Sequence, residues 1–262
     1  KKILKNKSGN NNPNISSLQC ELYEKLELDA NNLSEKVRQS RLLKPFSFVF
    51  DHKDSVNNKE GHIPIFLTES IADYSYSRAS KTEKTVIRAK QVTGIKNESM
   101  LQYLDDLKQK VNIYENYPVF FKVAFISPLA DNGLNFYKYT IEERKMVEGR
   151  KYFRLSFHPL RSGTNTFTGE CWVIDKTYAI TSITMQMDKT ANINWVGNIM
   201  LSQEFTRVSD SIMMITKDVL SIQFLTLSDK APGFIGKKSS YYRNILFNSP
   251  MIDERAVNEG SL

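Results

Sequence analysis

Apolar and polar residues alternate along most of the second half of the chain. Tyr137, Tyr139 and Ile141 alternate with polar neighbours, and the pattern resumes at 153–157 after Glu148-Gly149. Successive side chains of a strand point to opposite faces, so this period of two predicts half-buried strands joined by a tight turn. The same reasoning predicts further strands at 167–174, 178–187, 199–208, 212–219 and 221–227.

The first half of the chain predicts both strands and helices. Alternation predicts strands at 18–28, 65–77 and 84–93. Apolar residues at helical spacing predict a helix at 97–111, and a shorter helix is predicted at 32–43, ahead of Pro45. Consecutive strands with short turns form antiparallel sheets, so the predicted fold class is α+β, mainly antiparallel β. In that fold one meander sheet is covered by a few helices.

The predicted organisation is one β domain at 18–248 with two flanking segments. Residues 1–17 predict a basic helix and a linker, because Gly9, Pro13 and the Asn and Ser around them offer little apolar surface. Residues 249–262 predict a loose polar tail. No apolar run of about 18 residues, the length that spans a bilayer as a helix, is present. The chain shows no signal-peptide core either.

The formal net charge of +7, from 36 basic and 29 acidic residues, favours anionic surroundings. The basic residues are spread along the chain, as expected of a solvated surface. Strand alternation predicts that Lys84, Arg88 and Lys90 share one face, where they would either contact anionic polymers or simply meet water. Nucleic acid is a disfavoured partner, because the aromatic residues occupy predicted inward positions and are not free for stacking.

The sequence contains no motif that identifies a catalytic or cofactor site. There is no Gly-x-Ser-x-Gly elbow, and the three histidines are not at metal-ligand spacing. No cofactor and no metal are therefore predicted, and residues 231–239, which partly match a phosphate-binding loop, are interpreted as an ordinary loop. An alternative is a hydrolase-type site near 127–133, built from Asp131, Asn132, His158 and Arg161.

Two cysteines, Cys20 and Cys171, are too few and too far apart for a zinc knuckle or a redox Cys-x-x-Cys motif. They are either two free buried thiols or one disulfide.

Residues 153–187 contain the most distinctive pattern, Phe-Thr-Gly-x-x-Trp-Val-Ile-Asp between two strands. This hairpin resembles that of the periplasmic lipoprotein-carrier superfamily, whose members fold as an open half-barrel with helices in its concave face. The whole chain also resembles an uncharacterised outer-membrane family of Gram-negative bacteria. That family carries a carboxypeptidase-regulatory-like sandwich before this region and a membrane β-barrel after it. The matching segments are 45–50, 64–70, 127–133 and 191–196.

The resemblance implies a non-enzymatic binding or scaffold domain in the periplasm, associated with the outer membrane. Its expected partners are a lipid, a lipoprotein or another chain, and the barrel region of the same protein. An open half-barrel forms a trough, which either holds acyl chains or is filled by the protein's own helices. The candidate trough residues are Tyr137, Tyr139, Phe153, Leu155, Phe157, Trp172, Ile174, Ile183, Met185 and Met187.

Overall fold

Ten strands in the described part of the chain form one antiparallel sheet, and two more form a small hairpin. The computed structural model describes residues 1–11, 15–31, 63–94, 107–208, 212–224 and 233–248. The strands are β1 (Ser17–Asn31), β2 (Ile63–Ser77), β3 (Thr82–Gly94), β4 (Val119–Phe120), β5 (Val123–Ala124), β6 (Tyr137–Val147), β7 (Arg150–Pro159), β8 (Phe167–Ile174), β9 (Ile180–Met187), β10 (Val196–Arg207), β11 (Met213–Phe224) and β12 (Gly233–Phe247).

The large sheet is open, with the strand order β3-β2-β1-β12-β11-β10-β9-β8-β7-β6. From β6 to β12 each strand pairs with the next in the chain, as the predicted meander requires. The first strand then pairs with the last, since β1 lies between β2 and β12. The edges of the sheet are β3 and β6. The prediction of a mainly antiparallel open sheet with few helices is confirmed.

One face of the sheet, here called the inner face, carries the main core. Leu28, Phe157 and Ile222 lie on it and are essentially inaccessible to solvent. The chain packs a mostly irregular segment, residues 107–136, against this face before it enters β6 at the far edge. Phe120 and Phe125 of that segment pack edge-to-face with each other, and Phe125 also contacts Phe167. The protein's own chain therefore fills much of the inner face.

Two short helices precede the sheet, α1 (Lys2–Lys5) and α2 (Lys7–Asn11). Ile3 of α1 packs against the main core. None of the described helices is long and apolar enough to cross a membrane.

Three sequence predictions for helices and the tail fall wholly or partly outside the described residues. The helix predicted at 32–43 and the tail at 249–262 lie outside them, as does the stretch 97–106 of the longer predicted helix. Leu107 is helical and Lys108 lies in a turn, so that helix does not extend to 111.

Two predictions are wrong, one about the number of strands at 212–227 and one about a loop at 231–239. Over the described residues, which end at Phe224 here, the strands expected at 212–219 and 221–227 are a single strand, β11, because the inward alternation runs through Asp218, Leu220 and Ile222 without a turn. The segment 231–239 was expected to be a loop, but its described part from Gly233 onward belongs to β12. That strand bonds to β1 on one side and β11 on the other.

Candidate functional site

An apolar cavity of about 680 Å³ lies on the inner face beside the edge strand β6, and we call it the edge cavity. Its volume is in the range of roughly 300–1,000 Å³ that is typical of small-molecule sites. Residues of β6 and β7 line it from the sheet, α1 lines it from the N-terminus, and the loop at 128–134 contributes further contacts. The lining residues are Lys1, Lys2, Ile3, Leu4, Pro128, Leu129, Leu134, Tyr139, Ile141, Arg144, Lys145, Met146, Lys151, Tyr152, Phe153, Leu155, Asp175 and Tyr178.

A β-bulge in β6 decides which side chains of that strand face the cavity. Ile141 pairs with Leu155, but after the bulge Arg144 pairs with Phe153 and Met146 with Lys151. Directly paired residues lie on the same face of a sheet, so the extra residue shifts the inward positions from odd to even numbers. Arg144 and Met146 thus join Tyr139 and Ile141 on the inner face.

The glutamates of β6 lie on the opposite, outer face. Glu142 accepts a hydrogen bond from Ser156 Oγ at 2.5 Å, and the Glu143 carboxylate lies 3.4 Å from Arg154 Nε. Lys145 lines the cavity as well, but its Nζ lies 3.7 Å from the ring centroid of Trp172 on the outer face. The bulge therefore separates an inward arginine from its acidic neighbours in sequence.

The charge around the edge cavity is strongly positive. Among the described residues, five basic residues line it, and Asp175 is its single acidic lining residue. Asp175 Oδ1 accepts a hydrogen bond from the backbone N–H of Lys176. Within the described ranges, no carboxylate lies at ion-pair distance from Arg144 or Lys151. Both side chains are exposed and remain available to an anion.

Two tyrosines, the buried Tyr137 and the half-buried Tyr139, attach the loop at 126–129 to the sheet. Tyr139 donates to the carbonyl oxygen of Pro128 at 2.7 Å, and Tyr137 donates to that of Ile126. Burial raises the pKa of both phenols well above the ordinary value of 10, so they stay neutral donors. They hold the loop that lines one part of the cavity.

The N-terminal helices are fastened over the cavity by Lys7. Its Nζ lies 3.2 Å from Asp131 Oδ1 and also donates to Asn116 Oδ1. The side chain is only 12% exposed. Hydrogen bonding from Asn116 and the charge of Lys7 hold the pKa of Asp131 below its usual range, so the carboxylate is ionised at neutral pH.

The structure divides nine of the ten predicted trough residues into three groups. Tyr139, Phe153 and Leu155 line the edge cavity. Ile174, at the end of β8, pairs with Tyr152 and does not line it. Five others are buried in the filled part of the core: Tyr137, Phe157, Ile183, Met185 and Met187.

Trp172 was expected in the trough, and that placement is wrong. It pairs with Arg154 on β7 and Ser182 on β9, so it lies on the outer face, while its neighbours Cys171 and Val173 point inward. The inward positions of β8 are therefore those of Cys171 and Val173, one residue away from Trp172 on either side.

Sequence reasoning missed several residues that line the cavity. The apolar pair Ile3-Leu4 in the basic N-terminal helix was one available signal, because an amphipathic helix needs a surface to cover. Ile141 was a second, since it continues the alternation of Tyr137 and Tyr139. Arg144 had no signal, because its inward position depends on the bulge.

The residues considered for a hydrolase-type site do not come together. Ser127 Oγ donates to the carbonyl oxygen of Ile113 and accepts from the N–H of Leu129, which is a structural role. His158 Nδ1 lies 2.7 Å from Thr168 Oγ1 on the outer face. Asp131 bonds to Lys7 and Asn116, and the contacts of the described residues join neither it nor Arg161 to His158. Over the same ranges, no group of three or more His, Cys, Asp or Glu side chains could hold a metal ion.

Both cysteines are free and buried. Burial raises the pKa of the Cys20 thiol to about 11 and that of Cys171 to about 12. Neither is a reactive thiolate near neutral pH, because the nucleophilic form is scarce.

The prediction that Lys84, Arg88 and Lys90 share one face is also wrong. A bulge between β2 and β3 leaves Lys84 opposite Ser75 but Lys90 opposite Ser70, and these two positions on β2 face opposite sides. Arg88 is occupied by ion pairs with Glu21 and Asp73.

The comparisons with known proteins give a family and several distant structural likenesses. No curated protein matches the sequence. A structure described as an outer membrane lipoprotein-sorting protein domain from Vibrio parahaemolyticus aligns over 95% of this chain and 92% of its own. Its identity is 8% and its TM-score 0.34. A LolA superfamily protein from Nitrosomonas europaea aligns over 95% and 93%, with 8% identity and a TM-score of 0.29.

The Pseudomonas aeruginosa MucA/MucB complex contains a chain that aligns over 91% of this protein and 93% of its own length, with 9% identity and a TM-score of 0.25. At TM-scores this low, none of these likenesses defines the fold, which rests on the strand order described above. The model of a family of unknown function, DUF5686, matches residues 1–242. The chain therefore belongs to the DUF5686 family.

Proposed function

We propose that this chain is a non-enzymatic binding domain that holds an acyl chain, from a lipid or a lipoprotein, in the edge cavity. The observation that carries the proposal is the cavity of about 680 Å³ with Ile3, Tyr139, Phe153 and Leu155 in its lining. Each methylene group removed from water contributes about 0.8 kcal/mol, so even part of an acyl chain would bind there measurably.

The proposed location is the periplasm, next to the outer membrane. It rests on the resemblance of the hairpin at 153–187 to the lipoprotein carriers and of the chain to outer-membrane proteins. In that setting the barrel region of the same protein would be a neighbouring partner.

A scaffold for a partner chain is the second candidate, and the filled core favours it. The segment at 107–136 already occupies the inner face opposite the central strands, with Leu107 and Phe120 fully buried. The apolar space of the edge cavity lies at the β6–β7 end of the inner face. A ligand would therefore bind at one end of the sheet and not along its length.

Binding of the neutral apolar fluorophore N-phenylnaphthylamine tests the proposal. We expect saturable binding to the purified chain and a loss of about tenfold or more in Leu155→Trp, whose indole would occupy the apolar part of the cavity against which the fluorophore packs. Leu160→Trp is the matched control, because Leu160 is 52% exposed and lies outside the cavity. Circular dichroism would confirm that both variants remain folded.

Two outcomes would count against an acyl-chain site. One is a folded chain that does not bind the fluorophore, which would favour the scaffold. The other is binding that Leu155→Trp and Leu160→Trp leave equally intact, because the fluorophore would then bind elsewhere.

A further inference from the structure

We infer that the ligand of the edge cavity is an anionic amphiphile, whose headgroup binds Arg144 and Lys151 while its apolar chain enters the cavity. The inference rests on the proposed function and adds the charge class of the ligand. Its evidence is the distribution of charge around the cavity.

The inward position of Arg144 comes from a specific irregularity of β6. Without the bulge, Glu143 and not Arg144 would follow Ile141 on the inner face. The bulge directs Glu143 to Arg154 on the outer face and leaves the guanidinium on the cavity side. Bulges commonly redirect a side chain beside a functional site.

Lys151 lies close to Arg144 on the same face. Arg144 pairs with Phe153 and Met146 with Lys151, so the two cations are diagonal neighbours on adjacent strands, roughly 7–8 Å apart. Like charges at this spacing repel each other, and an anion placed between them would remove the repulsion. A carboxylate or phosphate can also accept two parallel hydrogen bonds from the guanidinium.

These two cations differ from others in the protein. Arg88, Lys110, Arg154 and Lys217 each lie in an ion pair with a glutamate. Arg144 and Lys151 have no such partner within the described residues, although they border the apolar cavity.

The open side of the cavity is where the cations lie. Ile141 and Met146, two of its lining residues, are 46% and 62% exposed, and they flank Arg144 on the inner face of β6. Phe153 and Leu155 are half-buried and lie further in. An amphiphile would therefore place its chain against these two and its headgroup in water beside Arg144.

Competition against bound N-phenylnaphthylamine by amphiphiles with the same dodecyl chain tests the inference. We expect dodecanoate and dodecyl phosphate to compete about tenfold or more better than monododecanoylglycerol or dodecylphosphocholine. This advantage should fall as salt is added, because exposed charges are screened. A preference for dodecyl phosphate over dodecanoate would identify a phosphate headgroup, and the reverse a free carboxylate.

The double variant Arg144→Gln, Lys151→Gln should lose the advantage of the anionic amphiphiles and keep its affinity for monododecanoylglycerol. The control is Lys138→Gln, Lys189→Gln, which removes two exposed cations that do not line the cavity. Equal competition by all four amphiphiles, unchanged in the double variant, would overturn the charge inference and leave the acyl-chain site standing. Failure of every amphiphile and of the fluorophore to bind would overturn the proposed function itself.

Discussion

Leu107 lies so close to Gly236 that a Cβ added to the glycine would come within 2.4 Å of Leu107 Cδ1. Gly236 is in β12, where it pairs with Leu28 on one side and Ile222 on the other. Leu107, Leu28 and Ile222 are all fully buried. The missing side chain at Gly236 is what allows the segment at 107–136 to pack directly on the backbone of the sheet.

Gly236→Ala should therefore lower the free energy of unfolding by about 1–3 kcal/mol, the usual cost of an extra carbon in a packed core. Urea denaturation would measure it. Gly9→Ala is the control, because an added Cβ there meets nothing within 4 Å. It should be neutral or stabilising by up to about 1 kcal/mol, since alanine favours a helix. If Gly236→Ala unfolds at the same midpoint as the native chain, the close packing is wrong.

Lys238 holds the same segment from the buried face of β12. It is 3% exposed, and its Nζ donates to the carbonyl oxygens of Lys108 and Gln109 at 3.2 and 3.1 Å. Lys238→Met should cost about 2–3 kcal/mol, because both carbonyls lose a charged donor. Lys237→Met, on the exposed face of the same strand, should change stability by less than about 0.5 kcal/mol. Equal stabilities of the two variants would show that the contacts to Lys108 and Gln109 are unimportant.

Asp218 should make stability depend on pH. Burial raises its pKa above the ordinary value of 3.8, although Gln203, which donates to it at 3.0 Å, and the charge of Lys238 partly oppose this. The folded state thus binds the proton more tightly than the unfolded state. The stability that protonated Asp218 contributes is complete below the pKa of the unfolded state, and it is lost as the pH rises through the pKa of the folded state.

Asp218→Asn keeps the acceptor oxygen and removes the charge. We expect this variant to be more stable than the native chain at pH 7, with the difference shrinking toward zero below about pH 4. Urea denaturation across that range would measure it. A variant less stable than the native chain at pH 7 would mean that Lys238 stabilises the carboxylate more than burial penalises it.

The strands that could be predicted from sequence are those whose inward residues are apolar. β6 and β7 alternate cleanly, and the predicted turn at Glu148-Gly149 has positive φ at both residues. β12 was missed because its inner face carries Gly236, which leaves room for Leu107, and Lys238, which donates to backbone carbonyl oxygens. A strand whose inward positions carry Gly and Lys does not show the apolar alternation that predicts a strand.

The cavity was only partly predictable for a related reason. Alternation correctly brought Tyr139, Phe153 and Leu155 to one face, but a strand pattern does not reveal which residues the rest of the chain covers. The segment at 107–136 and α1 decide that, and both are tertiary contacts. Arg144 depends on a bulge, which no periodicity shows.

The outer position of Trp172 leads to a prediction about ligand binding. Trp172→Phe should leave the affinity for N-phenylnaphthylamine within about twofold, because the ring contacts Lys145 on the outer face and does not line the edge cavity. Phe153→Ala removes a lining ring and should lose affinity. Fluorescence titration of the two variants would measure this. Equal losses of affinity in the two variants would show that Trp172 contributes to the binding face.

Lys7 should control how fast a ligand leaves the cavity. It fastens α2 to Asp131 and Asn116, and the preceding helix carries Ile3 and Leu4 into the cavity lining. In Lys7→Gln we expect dissociation of the fluorophore to be several times faster, because α1 would detach more often from the cavity. The free energy of unfolding should change by about 1 kcal/mol at most, since Asp131 is 71% exposed and ion pairs this accessible contribute about 0–1 kcal/mol. Stopped-flow dissociation would measure the rate, with Lys5→Gln as the control because that side chain is exposed and does not line the cavity. Equal dissociation rates in both variants would show that the N-terminal helices do not limit release, and that the ligand leaves past Ile141 and Met146.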